Sequence, residues 1–231
     1  MKTVLIIAAH PDDEILGVGG TARRHVLEGD SVHSIVVCEG ETVRYQGRDI
    51  GMEAQARRAA EILGCETLDW LGFGDQRLDA ISLTELTAPL EARLRRLRPS
   101  IVYTHFAGDL NRDHRILAEA VTVATRPIES YIEEVIAFET PSATEWNVPY
   151  RFAPNHFVEI SSTLQAKLDA MACYTTEVRE APYPRSLESL RQRAAYWGSM
   201  AMVPAAEAFV INRRIRRASA TLGKTSGGEP R

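Results

Sequence analysis

The sequence predicts a single α/β domain built on a mostly parallel sheet with helices on both faces. Short apolar runs, such as residues 4–7 and 35–37, alternate with longer stretches whose apolar residues recur at helical spacing. Gly29, Gly64 and Pro99 stand where three of these helical stretches end. The chain has 231 residues, of which 45% are hydrophobic, which is enough for one core and an antiparallel extension of the sheet.

The same patterns give the order of the elements. In the first half, strands are predicted at 2–8, 31–38 and 66–71, and helices at 14–28, 49–63 and 83–97. In the second half, strands are predicted at 101–103, 134–138, 156–160 and 208–212, and helices at 115–125, 163–173 and 186–200. Residues 140–154 lack periodicity, and we expect a long loop that folds over the site.

The segment Ala8-Ala9-His10-Pro11-Asp12-Asp13-Glu14 directly follows the first strand. Ligands of α/β folds usually bind beyond the carboxyl ends of such strands. His10 and Asp13 are ligand types that zinc accepts, and Asp12 is placed to accept a proton from a water at the metal. The alternative is that Asp12 or Asp13 only caps the next helix, but capping leaves the histidine and the second aspartate unexplained.

A second polar loop, Thr104 to Arg115, follows another apolar strand and supplies the third ligand that a catalytic zinc needs. We expect this ligand to be His114. Asp113 is placed to orient an imidazole and fix its tautomer. His105 lies on the same loop and is a candidate general acid, the alternative being an ordinary hydrogen-bonded loop histidine.

Two further loops are predicted at the same edge of the sheet. In residues 39–48, Arg44 or Arg48 is placed to reach a hydroxyl or phosphate of a substrate, although exposed arginines are common. In residues 72–79, Asp75 is placed to accept hydrogen bonds from two hydroxyls, the alternative being a turn residue beside glycine.

Three glycines lie at the start of the first predicted helix: Gly17, Gly19 and Gly20. Their spacing is not the GxGxxG of dinucleotide sites, and they follow an acidic cluster that would repel a pyrophosphate. An oxidoreductase is therefore not predicted. The expected role of these glycines is close packing of the helix on the sheet.

Composition excludes several classes of protein. The net charge of −4 argues against general nucleic-acid binding. Cys38, Cys65 and Cys173 are widely spaced and odd in number, so we expect buried thiols in a reducing compartment rather than disulfides or a thiolate metal site. Only about eight apolar residues precede His10, too few for a signal peptide or a membrane span. We expect a cytoplasmic protein without a membrane partner, and a homo-oligomer is compatible with the sequence.

The first motif, with its glycine-containing helix start, and the segment DLNRDHR at 109–115 resemble the LmbE/PIG-L family of zinc-dependent N-acetylglucosamine deacetylases. The similarity continues at Tyr174, at residues 185–188 and at residues 206–209, so it covers most of residues 2–213. It implies an LmbE-like, Rossmann-like three-layer sandwich formed by one domain, residues 1–213. Residues 214–231 are basic and poor in apolar residues, and we expect a disordered tail there.

By this resemblance, His10, Asp13 and His114 bind Zn²⁺ and Asp12 is the general base. The family also tends to place a substrate-contacting arginine before the second helix, which favours Arg48.

The sequence departs from the family pattern at one position of the predicted site. The family commonly has a second histidine three residues before the last ligand, where it stabilises the oxyanion or protonates the leaving amine. Asn111 occupies that position here. The identity of the general acid is therefore left open, and the candidates are His105, Asp113, His156 and a group of the substrate. Asn111 itself is a candidate substrate contact.

The expected reaction is removal of an N-acetyl group from an N-acetyl amino sugar, free, nucleotide-linked or glycosidic, by a zinc-activated water. Trp146 and Tyr150 in the long loop are placed to stack on a sugar face, or to anchor the loop. One alternative is an amidase that cleaves a larger N-acyl sugar conjugate. The other is a metal- or sugar-binding protein without turnover, which Asn111 favours.

Overall fold

The computed structural model describes residues 1–46 and 48–218, which form a seven-stranded sheet covered by helices. The strands are β1 (Thr3–Ala8), β2 (Ser31–Cys38), β3 (Thr67–Phe73), β4 (Ile101–His105), β5 (Glu134–Phe138), β6 (His156–Glu159) and β7 (Ala206–Arg214). Their order across the sheet is β3-β2-β1-β4-β5-β7-β6. The first five pair in parallel, and β7 runs antiparallel to β5 and β6. The predicted α/β class and antiparallel extension are confirmed.

Helices cover both faces of the sheet. They are α1 (Asp13–Leu27), α2 (Met52–Leu63), α3 (Leu83–Leu97), α4 (Arg112–Ala124), α5 (Leu164–Met171) and α6 (Leu187–Ala201). Buried side chains of α1, α2, α5 and α6 form one core with Val4 and Ile6 of β1. Those of α3 and α4 form a second core with Leu5 and Ile7. Successive residues of a strand point to opposite faces, so one apolar strand serves both cores and the three predicted layers are confirmed.

Two differences from the predicted elements affect the site. Helix α4 begins at Arg112 rather than 115, because Asn111 caps it: its Oδ1 accepts a hydrogen bond from the N–H of Asp113 at 2.8 Å. His114 therefore lies in the first turn of a helix, not in a loop. Strand β4 extends to His105, where the ladder with β5 continues. The prediction that both histidines share a loop is wrong.

The end of the described chain also differs from the prediction. Strand β7 continues to Arg214, which pairs with Glu134 across the ladder and forms an ion pair with it at 2.8 Å. Arg214 is therefore part of the sheet and not the first residue of a tail. Residues 219–231 of the predicted tail lie outside the described residues. Among the described helices, none has the length and apolar character needed to cross a membrane.

The glycines of α1 permit a close approach of helix and sheet. A Cβ atom at Gly17 would lie 2.2 Å from the ring of Phe138 on β5, and one at Gly20 would lie 2.8 Å from the side chain of Ile160. The predicted packing role is therefore confirmed. Because the ligand motif runs into the first turn of α1, this contact also fixes the distance between that motif and the sheet.

We predict that Gly17→Ala destabilises the protein by about 2 kcal/mol, because overpacking of the Phe138 ring outweighs the gain of about 1 kcal/mol in helix propensity. Gly19→Ala is the matched control, since its Cβ would lie 3.1 Å from Ile15 Cγ2 and from Lys167 Cγ, a much looser fit than at Gly17, and it should change stability by less than about 1 kcal/mol. Urea unfolding measures both. Equal stabilities of the two variants would contradict this packing account.

Candidate metal centre

The candidate site lies where the strand order reverses. From β1 the chain moves to β2 and β3 on one side, and then returns to β4 on the other side of β1. The loops after these two adjacent strands diverge and leave a crevice between them. His10 and Asp13 follow β1, and His114 follows β4, so the fold brings together side chains 104 residues apart in sequence.

A tight turn sets the relation between the first two predicted ligands. Asp12 has φ 91° and ψ −29°, a left-handed conformation that is uncommon outside glycine. The turn lets Asp13 Oδ2 accept a hydrogen bond from the backbone N–H of His10 at 2.9 Å. Within the described chain, the Asp12 side chain caps no helix; it accepts a hydrogen bond from Arg185 at 2.7 Å. The capping alternative therefore does not account for Asp12.

Three donor atoms form what we call the donor triangle: His10 Nδ1, Asp13 Oδ2 and His114 Nε2. The distances are 3.2 Å from His10 to Asp13, 3.1 Å from His10 to His114 and 3.1 Å from His114 to Asp13. Tetrahedral zinc with bonds of about 2.0–2.1 Å places its ligand atoms about 3.3 Å apart. The donor triangle thus fits one face of such a tetrahedron and leaves the fourth position to another ligand.

A carboxylate stands behind each imidazole of the triangle. Asp113 Oδ2 lies 3.1 Å from His10 Nε2, and Asp109 Oδ1 lies 3.1 Å from His114 Nδ1. The His10–Asp113 contact is a hydrogen bond, which fixes the tautomer of a metal-binding histidine and leaves the other nitrogen free for the metal, whereas the His114–Asp109 contact is an ion-pair distance without an aligned hydrogen bond among the described residues. Asp113 therefore faces an imidazole, but that of His10 rather than that of its neighbour. Asp109 is the first residue of the segment 109–115 that resembles the family, but sequence reasoning assigned it no role.

The charge of the site favours a cation. His10, Asp13 and His114 are at most 2% exposed. Burial alone lowers the pKa of each histidine, but the surrounding carboxylates outweigh it and raise the pKa of both. Burial raises the pKa of Asp13, but the two histidines outweigh it and hold this pKa well below its usual value. The negative potential that attracts protons to the imidazoles also attracts a metal ion, and the two compete.

A second group of donors shares His10 but uses its other nitrogen, together with Cys38 and Asp113. Burial raises the pKa of the Cys38 thiol to about 11, and the thiol lies 3.7 Å from Asp113 Oδ2 as a donor. Metal binding requires the thiolate, which makes this group the weaker candidate. All three cysteines are free, as predicted, but Cys65 and Cys173 are half-buried rather than buried.

Three residues predicted to contact substrate differ in where they lie relative to the donor triangle. Asp75 is buried, with Oδ1 3.5 Å from His10 Nε2. Asn111 donates from Nδ2 to Gln76 Oε1 at 3.3 Å, and Gln76 Nε2 lies 3.1 Å from His10 Nε2, so both amides stand beside the donor triangle. Arg48 is exposed.

Arg44 comes from the same loop as Arg48 but reaches the site. Its Nε lies 4.0 Å from Asp75 Oδ2, and its Nη1 donates to Glu177 Oε2 at 2.8 Å. The structure therefore favours Arg44 over Arg48 as the arginine of this loop that approaches the site.

Two histidines proposed as the acid are placed elsewhere. His105 is fully buried: its Nε2 accepts a hydrogen bond from the N–H of Ala9 at 2.9 Å, and its Nδ1 lies 3.1 Å from Thr140 Oγ1. Burial and the charge of His114, on which it stacks at 4.0 Å, lower its pKa well below the usual value. It supports His114 and cannot contact substrate. His156 lines a cavity with Lys2, at the opposite end of the strands.

The long loop after β5 is tied to the site. Thr144 Oγ1 donates to Asp109 Oδ2 at 2.5 Å, and Asn147 Nδ2 donates to the carbonyl of Gly108 at 3.0 Å. Trp146 and Tyr150 are 51% and 59% exposed, so they do not anchor the loop in the core. Their predicted contact with a sugar stays a prediction.

Comparisons with known proteins identify a family and a fold that this chain resembles. The family model described as "PIG-L: GlcNAc-PI de-N-acetylase" matches residues 5–125. Diacetylchitobiose deacetylase of Thermococcus kodakarensis is 29% identical over 215 residues, which cover 87% of this chain and 79% of that protein. The conserved protein TT1542 of Thermus thermophilus matches with a TM-score of 0.77 and 27% identity over 95% of this chain and 99% of its own.

A further structural match has a different activity. The 4-carboxy-2-hydroxymuconate hydratase GalB of Pseudomonas putida matches with a TM-score of 0.73 and 23% identity, over 95% of this chain and all of its own. At this identity the match shows a shared fold alone. The fold is therefore compatible with more than one reaction, and the reaction must be argued from the family and the site.

We predict that Asp109→Asn weakens Zn²⁺ binding about ten- to a hundredfold, because the amide no longer polarises the imidazole of His114. Competition with a chromogenic chelator measures the affinity. Asp79→Asn is the matched control, since Asp79 pairs with Arg112 at 3.5 Å away from the donor triangle. If both variants bind Zn²⁺ like the wild type, Asp109 does not support the metal centre.

Proposed function

The chain belongs to the PIG-L family of de-N-acetylases, and from this premise we propose that it hydrolyses the acetamide of an N-acetyl amino sugar to acetate and the free amine. The observation that carries this proposal is the buried carboxylate of Asp12, adjacent in sequence to Asp13 of the donor triangle, with one oxygen uncommitted. Oδ2 is bound by Arg185, whereas Oδ1 is buried and has no hydrogen-bond partner among the described residues. A buried carboxylate oxygen without a partner is available to accept a proton.

The donor triangle fits a divalent cation, and we propose Zn²⁺, because two imidazoles and one carboxylate with an open position are typical of catalytic zinc. When bound there, zinc supplies the Lewis acid that activates a water and polarises the acetamide carbonyl. His10, Asp13 and His114 hold the ion, and Asp109 and Asp113 orient the two imidazoles.

Asp12 is the proposed general base. Burial raises its pKa to about 7, although the charge of Arg185 lowers it. A base whose pKa lies near the working pH accepts a proton most effectively. Its free Oδ1 is the atom that takes the proton of the attacking water.

The carboxyl group of Asp12 is also the proposed proton donor to the leaving amine. Asn111 carries no titratable proton, both ring nitrogens of His105 are engaged, and Asp113 accepts the N–H of Leu78 besides facing His10. Asp113 therefore positions His10 rather than transferring a proton. A carboxyl group with a pKa near 7 can accept a proton in one step and return it in the next.

The substrate class follows from the family and from the rim of the site. Diacetylchitobiose deacetylase is named for an N-acetylated sugar, and the rim here offers the guanidinium of Arg44 and the amides of Gln76 and Asn111. These are donors suited to sugar hydroxyls. The proposed substrate is an N-acetyl amino sugar, free or carried by a nucleotide or glycoside.

Acetate release by the zinc-loaded protein across N-acetylated free sugars, nucleotide sugars and glycosides tests the proposal. Release from one class supports it and identifies that class. Release of a longer carboxylic acid from N-acyl conjugates would indicate an amidase of larger conjugates instead. No release of any acid, with one metal ion bound per chain, would contradict hydrolysis.

We predict that Asp12→Asn lowers kcat for acetate release about 10²–10⁴-fold, because the amide cannot accept the proton of the water. Its zinc content should equal that of the wild type, since Asp12 lies outside the donor triangle. Inductively coupled plasma mass spectrometry measures the metal. Asp169→Asn, at an exposed position on α5, is the control. Unchanged turnover in Asp12→Asn would exclude Asp12 as the base.

A further inference from the structure

We propose that Arg185 is a positioning residue that holds the Asp12 carboxylate in the orientation that leaves Oδ1 free. This inference rests on the proposed function, in which Asp12 is the general base. Arg185 lies in the segment between α5 and α6, which is otherwise unconnected in sequence to the ligand motif.

The contact between the two side chains is a buried ion pair. Arg185 Nη1 lies 2.7 Å from Asp12 Oδ2, and the two residues are 6% and 0% exposed. A charged group buried this deeply depends on its partner, because removing one ion leaves the other desolvated and unpaired. The contact involves one oxygen only, so it restricts rotation of the carboxylate while leaving the second oxygen uncommitted.

The guanidinium of Arg185 is itself fixed at a second point. Its Nε donates to Ser142 Oγ at 2.7 Å. Ser142 has φ 73°, a left-handed conformation that serine seldom adopts, and such strained residues concentrate at functional sites. Because the guanidinium is planar and rigid, contacts at Nε and Nη1 determine its orientation completely.

The nearby acid Glu177 does not compete strongly for Arg185. Its Oε2 is 3.6 Å from Arg185 Nη1, but it accepts from Arg44 Nη1 at 2.8 Å, and its Oε1 accepts from the hydroxyl of Tyr45 at 2.7 Å. Glu177 is therefore already paired with the loop after β2. Asp12 is the close partner of Arg185, and the ion pair acts on the base.

A purely structural role of Arg185 would have different effects on stability and on turnover. If Arg185 only fastened its segment to the turn after β1, its loss would lower the free energy of unfolding, and kcat per molecule of folded protein would stay at the wild-type value. A positioning role predicts that kcat per molecule of folded, metal-loaded protein falls while KM and metal content are retained, because misplacement of a reacting group by about 1 Å costs roughly a hundredfold in rate.

The experiment compares zinc-loaded wild type, Arg185→Ala and Arg185→Lys. We expect kcat of Arg185→Ala to fall about a hundredfold with KM within about threefold, and guanidinium chloride at tens of millimolar to restore at least about tenfold. Urea at the same concentration is the neutral control. Arg185→Lys keeps the charge and should lose less. Arg193→Ala removes an arginine that pairs with Glu139 outside the donor triangle, and should not respond to guanidinium.

A crystal structure of Arg185→Ala, or of Arg185→Lys if the former fails to fold, completes the test. A displaced Asp12 carboxylate is expected. An Asp12 side chain in the wild-type position, or a rise in KM with unchanged kcat, would overturn the proposal. If the wild type releases no acetate from any substrate, the proposed function fails, and the position of Asp12 in the variant still decides the inference.

Discussion

The structure depends on one electrostatic constraint, the approach of two imidazoles and a carboxylate to about 3 Å in a place that excludes water. His10, Asp13 and His114 are buried and surrounded by further carboxylates, a combination that a bound divalent cation balances. The turn at Asp12, with its left-handed backbone, brings the first two donors together, and the cap of α4 by Asn111 orients the third. These local features arrange the candidate metal centre, and the parallel sheet brings them to one crevice.

Much of this could be predicted from the sequence, because the informative signals are local. Apolar runs and helical periodicity gave the layers and the edge at which the loops meet. The ligand types of His10 and Asp13 were visible in one short motif. Predicting His114 as the third ligand required one further inference, namely that two strands widely separated in sequence lie side by side in the sheet.

The remaining features of the site depend on contacts between residues far apart in the chain, which residue spacing in the sequence does not reveal. Arg185 belongs to the family-like segment 185–188, but that resemblance does not show that it pairs with Asp12, which is 173 residues away. His105 was expected on a loop, yet two more residues of pairing with β5 draw it into β4 and bury it. Arg44 and Arg48 belong to one loop, and only the three-dimensional position of Glu177 explains why Arg44 turns to the site.

We propose that the metal binds on the Nδ1 side of His10, with Asp13 and His114, and not on the Nε2 side with Cys38. X-ray absorption spectroscopy at the zinc edge, on protein loaded with one equivalent of Zn²⁺, distinguishes the two positions. An ion at the donor triangle has nitrogen and oxygen ligands alone, at about 2.0–2.1 Å. A sulfur ligand at about 2.3 Å would place the ion against Cys38 and contradict the proposal.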